Sequence, residues 1–270
     1  MTRVEAFATL IGALSALPRV AAIGQSGSGS LPVANESDVD VFLYCDGIPT
    51  KAERAAALQP LDDLTANAEI GALHSVHWGE GDCLELCGME VWLMYFDRTS
   101  QETYLQEVRE GKHTDKVDNY FYPTGRLATL LTMNPLYDPR GVLADYRALL
   151  ADYPQALRRA LLTRHIPALA DTEDLLRAVS REDALFFHFA MDLALDHFLQ
   201  ALFALNRRYF PSRKRSLMLA ASFALQPESL AERLHATLRL GGNPATLADA
   251  FAVWQALAEE LTSLARSSAE

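Results

Sequence analysis

Apolar and polar positions follow two different patterns along this chain, and the change falls near residue 118. In the first part, segments with apolar residues at helical spacing alternate with short apolar runs typical of strands. The segments at helical spacing are 3–17, 51–68 and 101–109. The short runs are 20–23, 38–45, 74–78, 82–86 and 89–96. This order predicts a small mixed β-sheet with helices packed on it.

From residue 119 onwards, long segments rich in alanine and leucine replace the strand-like runs. Proline and glycine mark the turns between these segments. The helices predicted here are 126–132, 143–150, 154–162, 174–179, 181–209, 213–223, 229–238 and 244–265. The sequence therefore predicts an α+β protein, with a mixed-sheet domain over 1–118 and an all-α domain over 119–270.

Length and composition narrow the class of protein. The 270 residues are enough for two domains, and half of them are hydrophobic. The formal net charge of −11 disfavours non-specific binding to nucleic acid and suits a cationic small molecule. No apolar stretch reaches the roughly 18 residues of a membrane span. Residues 6–17 are uncharged as in a signal peptide, but their helical spacing favours an amphipathic helix in a cytoplasmic protein.

The candidate chemistry lies between the first two predicted strands. A loop of small residues over 24–30 precedes Asp38 and Asp40, which flank a valine where an apolar strand begins. Because strand side chains alternate between faces, the two carboxylates project from one face. They repel each other unless a cation lies between them, and Mg²⁺ takes carboxylate, water and phosphate oxygens. Since the loop can bring N–H groups and hydroxyls to phosphate, the pattern predicts metal-assisted nucleotidyl transfer.

Each of these features alone has a simpler explanation. Loops of glycine and serine are common linkers, and an Asp-Val-Asp segment can be a solvated strand edge. Their order and spacing, with a helix before them and an apolar strand after them, favour the catalytic interpretation.

The segment resembles the DNA polymerase beta-like nucleotidyltransferase superfamily, whose signature is a Gly-Ser turn followed by Asp-hydrophobic-Asp on a strand. Gln25-Ser26 stands where Gly-Ser is expected, with Gly27-Ser28 as a second register. The similarity points towards small bacterial members, which include aminoglycoside and lincosamide nucleotidyltransferases. It implies Mg²⁺ held by the aspartate pair, and ATP as the triphosphate. The residues expected to contact its phosphates are Ser26, Gly27, Ser28 and Ser37.

The resemblance also implies a third carboxylate on a later strand, beside the aspartate pair. Two-metal phosphoryl transfer favours one, because the attacking and leaving oxygens both need a cation nearby. Glu90 is the candidate, because a charged side chain within the apolar strand 89–96 is costly unless it has a partner such as a metal ion. Three alternatives stay open: Glu90 is only solvated at a strand end, Glu85 takes the role, or the position falls on Trp92, which has no carboxylate.

A basic cluster in the second half is the candidate for further phosphate contacts. Five basic residues lie between 207 and 215 in an otherwise acidic chain, and we expect Arg208 or Lys214 to meet the triphosphate. The alternative is a basic helix end that interacts with the helix dipole. This cluster and the segment 136–141 also resemble parts of bacterial nucleotidyltransferase-like proteins with a helical C-terminal domain.

An acceptor hydroxyl that attacks the α-phosphate is helped by a general base. The resemblance implies a carboxylate from the helical domain. His188, Asp192 and Asp196 share one helix stripe, and Asp192 is the preferred base, ahead of Asp183 and Asp196. The alternative for this stripe is a solvated polar face.

We therefore expect an enzyme that moves a nucleoside monophosphate, AMP from ATP, to a hydroxyl group and releases pyrophosphate. The expected acceptor is a small molecule such as an aminoglycoside or lincosamide antibiotic. The alternatives are a protein acceptor, as in enzymes of toxin–antitoxin type, and a non-catalytic nucleotide-binding or regulatory protein. No specific nucleic acid or membrane is expected as a partner, and the sequence leaves the oligomeric state open.

Overall fold

The computed structural model describes residues 1–27, 31, 38–75, 77–117 and 121–268. The chain divides into two compact units: the first comprises 1–107 and 126–152, and the second comprises 108–125 and 153–270. The structure thus draws the division differently from the single boundary expected after residue 118. The reason is that 126–152 returns to the first unit and adds a strand to its sheet.

A mixed sheet forms the centre of the first unit. Within the described residues its strands are β1 (Val20–Gln25), β2 (Val39–Cys45), β3 (Thr65–Ser75), β4 (Gly79–Leu86), β5 (Met89–Asp97) and β6 (Asn134–Tyr137). Their order is β3-β4-β5-β2-β1-β6. The pair β2–β5 is parallel and the other neighbours are antiparallel. This sheet, followed by a helical second half, confirms the predicted α+β class.

Helices lie before, between and after the strands of this sheet in sequence. The helices with residues in the first unit are α1 (Arg3–Ser15), α2 (Lys51–Leu58), α3 (Arg98–Arg109), α4 (Pro123–Thr132) and α5 (Val142–Ala151). Both α1 and α2 begin at a threonine whose side chain and a following glutamate form a capping box. The apolar side of α1 packs with the buried side chains of β2 and β5 in one core.

Three expectations for the first unit are wrong. The helix expected over 51–68 ends at Leu58, because Pro60 lacks the N–H group that would continue it, and a 3₁₀ turn over Gln59–Leu61 follows. The strand predicted over 74–78 overlaps only the end of the longer β3, which ends at Ser75, and β4 begins at Gly79. β6 lies beyond residue 119, where no strand was expected.

The segment 136–141 forms the end of β6 and the turn into α5. Asp138 accepts a hydrogen bond from the backbone N–H of Leu143 at 3.0 Å, which satisfies one of the free donors of the first helical turn. Gly141 has the left-handed backbone conformation at the helix cap. The residues that resemble nucleotidyltransferase-like proteins here therefore have a structural role in joining the sheet to a helix.

A completely buried ion pair lies in the first unit, on the face of the sheet opposite Asp40. The Nε atom of Arg54 is 3.4 Å from Oδ2 of Asp82, and neither side chain is exposed to solvent. Asp82 also accepts a hydrogen bond from the backbone N–H of Gly71 at 2.8 Å. The Arg54 guanidinium lies over the ring of Tyr95, 4.6 Å from its centroid. Two charges are thus held inside the apolar core.

Helices make up the second unit, as the sequence predicts for this half. In the described residues that belong wholly to it they are α6 (Gln155–His165), α7 (Glu173–Ser180), α8 (Ala184–Leu205), α9 (Ser216–Ala220), α10 (Leu230–Gly241) and α11 (Leu247–Ser267). Short 3₁₀ turns lie at Pro167–Ala170 and Pro244–Thr246. Phe187, Phe198 and Phe203 of α8 are buried in one core with Trp254 of α11, and the ring of Phe198 lies 5.3 Å from that of Trp254.

Two helices of the second unit are shorter than expected. The helix predicted over 181–209 begins at Ala184 and ends at Leu205, where Asn206 donates hydrogen bonds to the carbonyls of Leu202 and Leu225. The helix predicted over 213–223 is reduced to the short α9. No helix in the described part of the chain is both long and apolar enough to cross a membrane.

Gly111 is expected to tolerate alanine much less well than Gly141. Both glycines have a left-handed backbone, with φ of 80° and 73°, so alanine costs roughly 1–2 kcal/mol in strain at either position. A Cβ atom at Gly111 would also lie 2.5 Å from the Cβ of Ala160, whereas no atom lies within 4 Å of one at Gly141. We therefore expect Gly111→Ala to lower the free energy of unfolding by about 3 kcal/mol, and Gly141→Ala by about 1 kcal/mol.

Urea unfolding of the two variants and the wild-type protein measures both losses. Equal losses would contradict the crowding that the structure places at Gly111.

Candidate active site

The aspartate pair lies where β2 begins. Asp38 is exposed just before the strand, and Asp40 is partly buried within it. Val39 and Val41 are buried in the core that also contains α1. Because strand side chains alternate, Asp40 lies on the opposite face of the sheet from that core.

The turn after β1 reaches the same carboxylate. The hydroxyl of Ser26 donates a hydrogen bond to Oδ2 of Asp40 at 3.2 Å, and the backbone N–H of Ser26 donates to the Asp40 carbonyl at 3.0 Å. Gly27 is exposed and has φ of 84°, a conformation that glycine adopts without strain. The structure thus places Ser26 beside Asp40, and Gly27 follows in the same turn. Ser28 and Ser37 lie outside the described residues.

The pairing of β2 with β5 decides which side chain stands beside each aspartate. Asp40 pairs with Trp92, so Glu90 lies one alternation back on the same face, next to Asp38. Glu90 is exposed, and the indole N–H of Trp92 donates a hydrogen bond to its Oε1 at 2.7 Å. Glu85 pairs with Glu90 across the β4–β5 hairpin. The position directly beside Asp40 therefore carries an indole ring, while the nearest strand carboxylate stands beside Asp38.

The donor atoms at this site suit Mg²⁺. Among the residues that the structure describes, no group of three or more His, Cys, Asp or Glu side chains is placed to hold a metal ion. Mg²⁺ commonly binds through one or two carboxylates and completes its shell with water and substrate phosphates. Asp38 and Asp40 meet that requirement together with a triphosphate, so they fit the ion. The site with Glu90 as third ligand stays a prediction.

Aromatic rings continue the face of the sheet beyond Asp40. The centroid of the Phe42 ring is 5.4 Å from that of Trp78 and 6.0 Å from that of Phe96. Trp78 and Trp92 are partly buried. Strand alternation could have placed Phe42 beside Asp40. Trp78 lies in the turn between β3 and β4, whereas the sequence assigned it to a strand.

A buried cation lies at the far end of these rings. The Arg126 guanidinium is 4.1 Å from the centroid of Tyr104 and 4.9 Å from that of Phe96. Its Nη1 donates a hydrogen bond to Oε1 of Gln101 at 3.0 Å. Burial, together with the charge of Arg126, lowers the pKa of His77 to about 3. Sequence reasoning missed Arg126, because its helix was assigned to the other domain.

Asp196 is the centre of a network within the second unit. Its carboxylate accepts hydrogen bonds from Lys116 at 2.5 Å, from Arg213 at 2.7 Å and from the hydroxyl of Tyr122. Arg213 also pairs with the Asp192 carboxylate and donates to its carbonyl at 2.6 Å. Asp196 is 4% exposed, so the explanation of this stripe as a solvated polar face is wrong at this residue.

The other residues of the second unit that the sequence proposed for catalysis or phosphate binding differ in their exposure and in their partners. Asp192 is exposed and ion-paired with Arg213. Asp183 caps α8 and accepts a hydrogen bond from the N–H of Phe186 at 3.0 Å. Arg208 and Lys214 are both exposed. The role of Asp192 as a general base, and the contact of Arg208 and Lys214 with a triphosphate, stay predictions.

Comparisons with known proteins set this geometry in context. Residues 121–215 match the model of a domain of unknown function, DUF4037. The chain matches no curated protein. It is similar in structure to a nucleotidyltransferase-like protein from Exiguobacterium sibiricum 255-15, with a TM-score of 0.48 and 12% sequence identity. That similarity covers 97% of this chain and 74% of the other. At this level of similarity, the activity has to be inferred from the site itself.

Replacing Asp196 with asparagine is expected to destabilise the second unit and to change its pH dependence. Burial acts to raise the pKa of Asp196, but hydrogen bonds from Lys116, Tyr122 and Arg213 hold it below its usual value. Such a carboxylate stabilises the fold above its unfolded pKa of about 3.9, and this contribution is lost as pH falls through the folded pKa. We expect Asp196→Asn to lose about 2 kcal/mol near neutral pH.

Urea unfolding from neutral pH down to about pH 3 measures the difference between this variant and the wild-type protein, which we expect to shrink below about pH 4. Asp171→Asn, which removes an exposed acid of the same unit, is the control. A difference that stays constant over this range would contradict the role of the charge.

Proposed function

We propose that the first unit binds a magnesium complex of a nucleoside triphosphate where β2 begins. The protein then transfers the nucleoside monophosphate, AMP from ATP, to an acceptor hydroxyl and releases pyrophosphate. The observation that supports this proposal is the position of Asp38 and Asp40 beside the turn of Ser26 and Gly27, with the Ser26 hydroxyl bound to Asp40.

Each residue of this site has a distinct task in the proposal. Asp38 and Asp40 hold Mg²⁺, which supplies charge neutralisation to the phosphates. Ser26 fixes the orientation of the Asp40 carboxylate, and the exposed turn at Gly27 allows phosphate oxygens to approach the backbone. Glu90, held by Trp92, is available as a further carboxylate next to Asp38. An in-line displacement needs chiefly this positioning and charge neutralisation.

The aromatic rings beside the aspartates favour a nucleotide over a simple phosphate ester. Trp92 pairs with Asp40 in the sheet, and Trp78 contacts the neighbouring Phe42. Both residues are partly exposed, so their indoles are the candidates for stacking with a nucleobase. Stacking on an aromatic side chain contributes about 1–3 kcal/mol per base, so such a contact adds usefully to the binding of the phosphates.

The acceptor in this proposal is a small hydroxylated molecule, with Asp192 as the general base. The net charge of −11 suits a cationic acceptor such as an aminoglycoside or lincosamide. A protein acceptor is the alternative within the same reaction class.

One observation favours a different function, that of a non-catalytic nucleotide-binding or regulatory protein. Trp92, rather than an acid, stands beside Asp40, and the described residues contain no group of three metal ligands. A site with two carboxylates can bind Mg²⁺ and nucleotide, and a third ligand is what would favour the two-metal chemistry.

Titration calorimetry with ATP, in the presence and absence of Mg²⁺, tests the proposal on the full chain. Pyrophosphate release is then measured with hydroxylated cationic small molecules and with protein acceptors. Binding that requires Mg²⁺, followed by release with an acceptor, supports the transferase. Binding without release from any acceptor supports the non-catalytic alternative, and the absence of binding for every common nucleoside triphosphate contradicts both.

A further inference from the structure

An apolar cavity of about 300 Å³ lies inside the second unit, between α8, the segment around α9, and α10. Its volume is at the lower end of the range for small-molecule sites, which is about 300–1,000 Å³. The apolar side chains that line it include Met191, Leu195, Leu199, Met218, Leu234 and Leu238. Met218 and Leu238 are 65% and 43% exposed, so they stand at its mouth.

The cavity has one polar end, which Arg213, Arg215 and Ser216 form. Arg213 is neutralised by its ion pairs with Asp192 and Asp196. Arg215 is exposed and forms no ion pair with any residue in the described parts of the chain. It is thus the positive charge available at this end.

Two further features of the polar end indicate a ligand. Ser216 is 5% exposed, and its hydroxyl makes no hydrogen bond to any of the residues that the structure describes. This hydroxyl is a donor that a ligand at this end of the cavity can use. Arg215 has φ of 59°, a left-handed conformation that is strained for a residue with a side chain. Strain of this kind is concentrated at binding sites.

We propose that this cavity binds a small amphipathic carboxylate, with the apolar chain between α8 and α10 and the carboxylate at Arg215 and Ser216. The apolar lining provides most of the binding free energy by removing a hydrocarbon chain from water. The Arg215 guanidinium and the Ser216 hydroxyl are donors, so together they select an anionic oxygen acceptor. The positive charge of Arg215 would repel a cationic head group. The proposal does not depend on the proposed transferase activity.

Titration calorimetry of the full-length protein with octanoate tests this site. Octylamine has the same chain with the opposite charge, and acetate has the same head group without the chain. Arg215→Gln and Ser216→Ala alter the polar end, while Leu238→Trp fills the mouth at a partly exposed position. The matched control is Arg239→Gln, which removes an exposed arginine that does not line the cavity. Thermal unfolding shows whether each variant is folded.

We expect octanoate to bind and octylamine and acetate to bind much more weakly. Loss of a hydrogen bond to a charged group corresponds to about a tenfold weaker affinity in Arg215→Gln. Leu238→Trp should abolish binding, and Arg239→Gln should leave it unchanged. The proposal is overturned if octanoate does not bind, if octylamine binds as tightly, or if Arg215→Gln and Arg239→Gln behave alike. Should Leu238→Trp fail to fold, the comparison of octanoate with acetate decides whether the apolar lining holds the chain, and equal binding of the two would overturn the proposal.

Discussion

Asp40→Asn is expected to abolish nucleotidyl transfer and the Mg²⁺-dependent part of ATP binding. Asparagine has nearly the same shape and still accepts the hydrogen bond from Ser26, so the strand and the turn should keep their structure. The substitution removes the negative charge at the point where β2 meets the turn of Ser26 and Gly27. Loss of one electrostatic group at a reacting centre typically costs about 10²–10³ in rate, and a metal ligand should cost at least as much.

Glu69→Gln is the matched control for this variant, because it removes an exposed carboxylate from β3, which does not neighbour β2. Ser26→Ala should be milder, at about tenfold, since it only frees the orientation of the Asp40 carboxylate. The measurements are pyrophosphate release and calorimetric titration of ATP with Mg²⁺. If Asp40→Asn retained wild-type transfer, the assignment of the site to β2 would be wrong.

Arg54→Met is expected to destabilise the first unit by about 3–5 kcal/mol, because it leaves the Asp82 carboxylate buried without its cation. The backbone N–H of Gly71 remains as a hydrogen-bond donor to Asp82, but it carries no charge. Asp82→Leu should cost less, since Arg54 also approaches Glu80, at 3.4 Å. In the double variant Arg54→Met/Asp82→Leu, most of the loss should be recovered, because apolar side chains of similar size replace a buried ion pair well.

The loss of stability in Arg54→Met should also depend on pH. Burial raises the pKa of Asp82 in the folded protein, and Arg54 opposes this effect. Without Arg54 the folded pKa rises further above the unfolded value. Stability then increases as pH falls through the folded pKa, since a protonated carboxyl is cheaper to bury. Urea unfolding of the wild-type, single and double variants at several pH values measures both effects. A double variant as unstable as the sum of the two single variants would show that the pair is not coupled.

The elements that the sequence predicted well are those whose pattern is local. β2 and β5 are apolar runs of ordinary strand length, and the order of turn, Asp38 and Asp40 can be recognised without knowing any strand pairing. β6 was missed because it has only four residues and includes a proline. It exists because it pairs with β1, more than a hundred residues away in sequence.

The features that the sequence could not reveal depend on contacts between distant segments. Whether Glu90 or Trp92 stands beside Asp40 is decided by the pairing of two strands that are separated by the β3–β4 hairpin. A shift of β5 by two residues would have placed Glu90 beside Asp40 and Trp92 beside Phe42. The burial of Asp196 likewise depends on Lys116 and Tyr122, which come from a segment distant in sequence.

The return of 126–152 to the first unit has a consequence for the synthesis of the protein. During translation, β1 has no partner on its outer edge until residue 137 has left the ribosome, and an unpaired strand edge is prone to join other chains. A fragment that stops near residue 118 would keep that edge bare permanently. A shortened protein that contains only the first unit would therefore need a linker that joins residue 107 directly to residue 126.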